Sequence, residues 1–294
     1  MAKSALLKSS IGKKYWMALT GLFLCLFLAG HLAGNLQLLM PDSQLQFNQY
    51  ALFMTSNPAV KILSYVTYIS ILFHAVDGIL LTIQNRKARP IGYVKSNPSA
   101  NSGFASRNMA VLGTLVLIFI ATHMTNFWAK MHFDNQIPVY ATLLKKEQLN
   151  PATNEMVKDS AMAFLLTNGN YIVKEQVKDL SMESAPNAPY EIKNVVEFYR
   201  TGTNMKVGEG YKDLHKITFD FFKEEKFGLF FTLFYMLSMA VLAFHLWHGF
   251  QSSFQSLGLN SPKWTPTIQF FGKAFSVIVP LLFAIIPLYI HFSK

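Results

Sequence analysis

Residues 15–39 read YWMALTGLFLCLFLAGHLAGNLQLL, a run with no Lys, Arg, Asp or Glu, opened by two aromatic residues and broken by one histidine, His31. A helix needs about 20 predominantly apolar residues to cross the hydrocarbon core of a bilayer, so this run is long enough to span it. It is too long for the apolar region of a cleavable signal peptide, and no small-residue cleavage pattern ends it. Four more such runs follow, at 60–83, 109–128, 228–250 and 268–290.

These runs predict an all-α, polytopic membrane protein with five transmembrane helices. Helices one to three fall in residues 1–128, a long loop in 129–227, and helices four and five in 228–294. Tyr15, Trp16, Tyr65, Tyr68, Trp128 and Trp264 suit an interfacial aromatic belt. Pro58, Pro98 and Pro266 stand before spans or in loops, whereas Pro280 and Pro287 should kink the fifth helix.

The rest of the 294-residue chain agrees. Hydrophobic residues make up 51% and charged residues only 14%, too little polar material to cover the surface of a soluble domain. The net charge of +10 would by itself raise a polyanion partner. Its distribution removes that reading. Residues 129–227 hold 13 of the 26 Lys and Arg and 14 of the 16 Asp and Glu, leaving only Asp42 and Asp77 as acids elsewhere. The positive excess therefore lies beside the apolar runs, and no nucleic-acid-binding motif accompanies it. The single cysteine, Cys25, excludes an intrachain disulfide, a cysteine metal site and paired thioether attachment of haem.

Short loops set the direction. Lys3, Lys8, Lys13 and Lys14 precede the first span; Arg86, Lys87, Arg89, Lys95 and Arg107 lie between the second and third; residues 40–59 carry no Lys or Arg. That asymmetry predicts a cytoplasmic N-terminus, with the C-terminus and residues 129–227 outside. The long loop's own basic residues do not oppose this, since long loops translocate largely regardless of charge. Pro186-Asn187-Ala188-Pro189 is expected to break the loop in two, and Leu214, Ile217, Phe221 and Phe222 recur at the spacing of an amphipathic surface helix. A solvated cap without chemistry is the expectation for the remainder.

Histidines inside spans carry the chemistry. Ionisable residues in a bilayer are expensive and point to function, and four spans contain them: His31, His74, His123, and His245 with His248. At about 1.5 Å rise per residue, His31 and His123 lie roughly 24 and 21 Å from the cytoplasmic ends of their spans, and His74 and His245 roughly 13 and 8 Å. His31 thus matches His123 in an outer layer and His74 matches His245 in an inner one, the layers roughly 12 Å apart. Two such pairs are what two bis-imidazole haems need within a four-helix core. Gly30 and Gly34, Gly78 and Gly249, each near one of these histidines, would leave room for a flat macrocycle. Against this, a lone intramembrane histidine commonly makes a helix–helix hydrogen bond, and G-x-x-x-G commonly marks plain packing.

His248 lies one turn beyond His245 and could replace it or reach a haem propionate. Asp77 could orient His74, join a proton path or pair with Arg86. Gln46, Asn48, Gln49 and Tyr50 could line a quinone pocket or form an ordinary interfacial turn. His132, His215 and His291 read as surface residues. A zinc site lacks carboxylates, Asp77 being the only one within a span.

Gly30-His31-Leu32-Ala33-Gly34-Asn35, Phe73-His74-Ala75-Val76-Asp77-Gly78-Ile79, His123-Met124-Thr125-Asn126-Phe127-Trp128 and Phe244-His245-Leu246-Trp247-His248-Gly249-Phe250 resemble the five-helix, two-haem cytochrome b subunit of succinate dehydrogenase and fumarate reductase, respiratory complex II. The resemblance covers all five spans and implies His31 and His123 as axial ligands of an outer haem b. It implies His74 and His245 for an inner one, its H-x-x-x-G favouring His245 over His248.

It further implies a bacterial cytoplasmic (inner) membrane location, an FAD-containing flavoprotein partner and an iron–sulfur partner on the cytoplasmic face. Electrons would pass to a membrane quinone, menaquinone being the expected species, linking the tricarboxylic acid cycle to the respiratory chain. The subunit would have no succinate site and no catalytic residue of its own. Three departures stand. Residues 40–59 offer nothing beyond Asp42 to match the acidic quinone-site residue of some members. Residues 129–227 are longer than the corresponding loop of the best-known members, and Ala243 occupies the position where some carry a proton-transferring glutamate. The rival readings are a di-haem cytochrome b subunit of a hydrogenase or formate dehydrogenase, and a haem-free transporter or structural anchor.

Overall fold

The computed structural model of the chain describes residues 9–91, 97–149, 156–178 and 188–293. Lys3, Lys8, Lys95, Pro186 and Asn187, used above for orientation and for the loop break, lie outside the described residues. Among the described residues, five helical spans are long and apolar enough to cross a membrane: Ile11–Leu39, Pro58–Lys87, Met109–Phe133, Gly228–Ser256 and Thr265–Phe292. The chain is a multi-pass membrane protein.

Each span starts and stops for local reasons. Helix α1 (Ser10–Asn35) is capped by the Ser9 hydroxyl, which accepts from Gly12 N at 3.0 Å. It runs on through a 3-10 turn, Leu36–Leu39. Helix α2 (Gln44–Ser56) precedes α3 (Pro58–Lys87), which Asn57 caps and Pro58 opens. Helix α4 (Met109–His123) passes into a π-helical stretch, Met124–Ala129, and a last turn, Lys130–Phe133. Helix α5 (Leu214–Lys223) covers the expected amphipathic run, with α6 (Gly228–Ser256) and α7 (Thr265–Phe292) after it. Helix α7 remains one helix through Pro280 and Pro287, both buried.

Two compact units emerge, and the chain passes between them more than once. The first comprises Met1–Pro41, Thr55–Met124 and Phe221–Lys294. In it α1 packs on α3, and α6 packs on α1, α4 and α7. Cys25, Met239, Leu242 and Leu246 form its buried cluster. Buried hydroxyls bond back to their own helices, as Thr232 does to Gly228 O and Ser276 to Lys273 O, each at 2.9 Å. They thus sit between helices without an unmet donor. At Gly272 a Cβ would lie 2.7 Å from Phe250 Cδ1, so only glycine permits the α6–α7 approach. Ile62, Leu72, Leu237 and Phe270 are 62–69% exposed, as a lipid-facing surface requires.

The second unit, Asp42–Met54 with Thr125–Asp220, departs from the all-α expectation. Strands β1 (Ala141–Leu149), β2 (Met156–Leu165) and β3 (Tyr171–Val173) form an antiparallel sheet, with Ala141 opposite Phe164 and Ala163 opposite Val173. Strands β4 (Val177–Lys178), β5 (Tyr190–Lys193), β6 (Glu197–Arg200) and β7 (Lys206–Glu209) form a second sheet, parallel only between β4 and β5. Phe164, Leu166, Ile172, Val177 and Phe198 are its core. The long loop, expected as a solvated cap with one amphipathic helix, carries two β-sheets.

Candidate functional site: two facing histidine pairs

The four intramembrane histidines meet in two pairs. The His31 and His123 rings lie 5.9 Å apart centroid to centroid at 85°, and those of His74 and His245 lie 6.3 Å apart at 72°. Four different helices contribute: α1 with α4, and α3 with α6. The ring that meets His74 belongs to His245, not His248. Two imidazoles bound on opposite sides of one metal ion, each at about 2.0–2.1 Å through a ring nitrogen, hold their centroids roughly 6 Å apart. Both pairs have that spacing.

The seats differ. Phe27 stacks on His31 at 5.3 Å and 14°, one turn earlier on the same helix, and Phe119 stacks on His123 at 5.7 Å and 29° in the same relation. Phe283 of α7 and Tyr235 of α6 complete the aromatic frame at 5.7 and 6.0 Å. The Asn35 amide nitrogen donates to His31 O at 2.8 Å and stands 3.4 Å from its Nδ1.

Around the other pair the neighbours are small. A Cβ on Gly21 would sit 3.1 Å from His74 Cε1, and one on Gly113 would sit 3.5 Å from His245 Cε1. The Thr20 hydroxyl lies 3.2 Å from His74 Nδ1. His245 Nδ1 is buried without a hydrogen-bond partner.

The glycines singled out from the sequence do other things. Gly30 has nothing within 4 Å, while Gly78 faces the Met17 side chain and Gly249 that of Met109. Gly21, Gly113 and Thr20 were not anticipated, although a signal existed. Gly21 lies about 9 Å along its span from Tyr15, and Gly113 about 6 Å from Met109, which is close to the His245 level.

The remaining candidates disperse. No ion pair joins Asp77 to Arg86 among the described residues. On α2, Gln46 and Gln49 are exposed and burial pushes the Tyr50 phenol up. Asn48, 1% exposed, is committed to structure: its Nδ2 donates to Asp213 Oδ1 at 2.8 Å and its Oδ1 accepts from His215 N at 3.0 Å. Asp213 also accepts from Gln44 Nε2 at 2.7 Å and from Lys216 N at 3.0 Å, a cap on the first turn of α5. His215 stacks on Phe219 at 4.2 Å, and burial holds its imidazole below the ordinary value.

Among the described residues no cluster of three or more His, Cys, Asp and Glu side chains could hold a metal ion. A haem needs only two axial protein ligands, because the macrocycle supplies the rest. The paired spacing and the small neighbours of His74 and His245 fit that group. Comparison with family descriptions, with characterised proteins and with solved structures gives no match to this chain.

Proposed function

We propose that this protein is a di-haem cytochrome b: the membrane-anchor and quinone-reactive subunit of a succinate:quinone oxidoreductase, working in either direction. The observation that carries the reading is the meeting of four histidines from four helices in two pairs at 5.9 and 6.3 Å. A packing or proton-relay role gives no reason for two separate pairs at one ligand-like spacing.

His31 and His123 would hold one haem b, and His74 and His245 the other. Such groups supply one-electron carriage between a protein donor and a quinone. The chain's residues orient the imidazoles by stacking on the first pair and by hydrogen bonding and small neighbours on the second. Surrounding apolar side chains lower the local polarity, which protein uses to tune potential. In a bacterial cytoplasmic membrane with the N-terminus inside, His74 and His245 form the inner pair, nearer a cytoplasmic iron–sulfur partner and its flavoprotein. His31 and His123 form the outer pair.

The test is a visible spectrum and haem assay of the purified chain. Two b-type haems per polypeptide are expected, and a chain without a reduced-haem band sinks the proposal. Co-purification with a flavin-containing succinate dehydrogenase separates it from the hydrogenase or formate dehydrogenase subunit.

A further inference from the structure

Thr20 and His74 carry an inference that rests on the di-haem reading and goes one step past it. Thr20 is 8% exposed, on the turn of α1 that faces the His74 ring. Its hydroxyl has two carbonyl acceptors on its own helix, Trp16 O at 2.7 Å and Met17 O at 3.3 Å, and the nearer, one turn back, takes the proton. A hydroxyl has one proton, so what remains toward His74 Nδ1, 3.2 Å away, is a lone pair. A lone pair facing a nitrogen is stabilising only if that nitrogen carries the proton. With the hydroxyl proton on its own helix His74 is the Nδ1–H tautomer, an assignment that leaves Nε2, at the far side of the ring, with the free electron pair that a metal needs. The next residue, Gly21, leaves room for Cε1 of the same ring.

We propose that Thr20 is a positioning residue for the haem held by His74 and His245: it fixes the His74 tautomer and, by accepting from Nδ1–H, lowers that haem's midpoint potential. An accepted Nδ1 proton makes the imidazole a more basic ligand, which favours the ferric over the ferrous state. The His31–His123 pair is seated differently, on aromatic rings and an amide, so the effect is confined to one haem.

The experiment is potentiometry of the purified holoprotein, followed in the reduced-haem bands, for wild type and for Thr20→Val, Thr20→Ala and Thr20→Ser. The relevant redox step is the one that disappears in His74→Ala. Val and Ala should both move that step to more positive potential and leave the other in place, while Ser, which keeps the hydroxyl, should restore it. Loss of that haem alone in Val and Ala with retention in Ser also supports the assignment. Two haems with unmoved steps in Val and Ala overturn it and leave the di-haem reading standing. A wild-type chain without haem overturns both.

Discussion

The two histidine pairs have nearly the same spacing and are built from different materials. His31 and His123 sit among Phe27, Phe119, Tyr235 and Phe283. His74 and His245 sit beside Gly21, Gly113 and the Thr20 hydroxyl. One pair is held by large flat neighbours and the other by their absence. Local stacking is not what makes a pair. Trp128 stacks on His132 at 4.5 Å and Phe219 on His215 at 4.2 Å, each one turn away on the same stretch, as Phe27 does on His31. In those two cases the histidine serves its own segment, whereas in α1, α3, α4 and α6 it meets a second imidazole from a distant helix.

On the di-haem proposal the contrast breaks most sharply at the four paired histidines. His31→Ala or His123→Ala should halve the haem content and leave the His74–His245 haem spectrally intact, and His74→Ala or His245→Ala should do the reverse. His248→Ala should leave both in place. Haem per polypeptide with low-temperature spectra reads this, and loss of the second haem in His248→Ala but not in His245→Ala overturns the assignment.

The next largest effect tests the seats. Gly113→Leu or Gly21→Leu forces at least a branched side chain against an imidazole, and overpacking of this kind costs about 1–3 kcal/mol or more. Each should weaken or abolish only the His74–His245 haem. Gly30→Leu, with open space around it, should leave both. Equal loss from all three variants would mean that the glycines matter to folding rather than to one pair.

A smaller effect is expected on the other side. Removing one stacked ring, in Phe27→Ala or Phe119→Ala, forfeits about 0.5–1.5 kcal/mol beyond buried area. The His31–His123 haem should then be released at lower denaturant concentration while its partner is retained normally.

The smallest test uses the unpaired stack as a control. Burial holds His215 below its ordinary 6.5, so the unfolded chain takes up a proton first as pH falls. Stability owed to the neutral ring is complete above about pH 6.5 and declines below it. Thermal unfolding followed by the β-sheet circular dichroism signal should show this acid sensitivity, and His215→Gln should reduce it without altering either haem.

The spans and the pairing of His31 with His123 and of His74 with His245 were legible in the sequence because both are governed by length along a helix. A residue's depth follows from counting at a fixed rise, and four histidines at two depths leave few pairings. The seats were less legible. Which glycine faces an imidazole depends on helix rotation and on close approach between α1, α3, α4 and α6, and proximity in sequence misled: Gly30 adjoins His31, yet a Cβ there would meet nothing within 4 Å. The sheets were missed for a different reason. Residues 141–149, ATLLKKEQL, are rich in Leu, Lys, Glu and Gln, which favour helix, and β1 is a strand through its pairing with β2. Strands β4 to β7 have only two to four residues each, too short for an alternating pattern to stand out.

The bond between Asn48 and Asp213 joins positions 165 residues apart. During synthesis at about 5–20 residues per second, Asn48 leaves the ribosome roughly 10–30 s before its acceptor exists. Through that interval the segment between the first two spans has a buried amide without a destination, and two further helices must be inserted or begun before it can close. The order of translation therefore leaves residues 42–54 waiting on a residue made shortly before the fourth span begins, and a chain truncated before Asp213 would leave the Gln44 and Asn48 amides without their carboxylate acceptor.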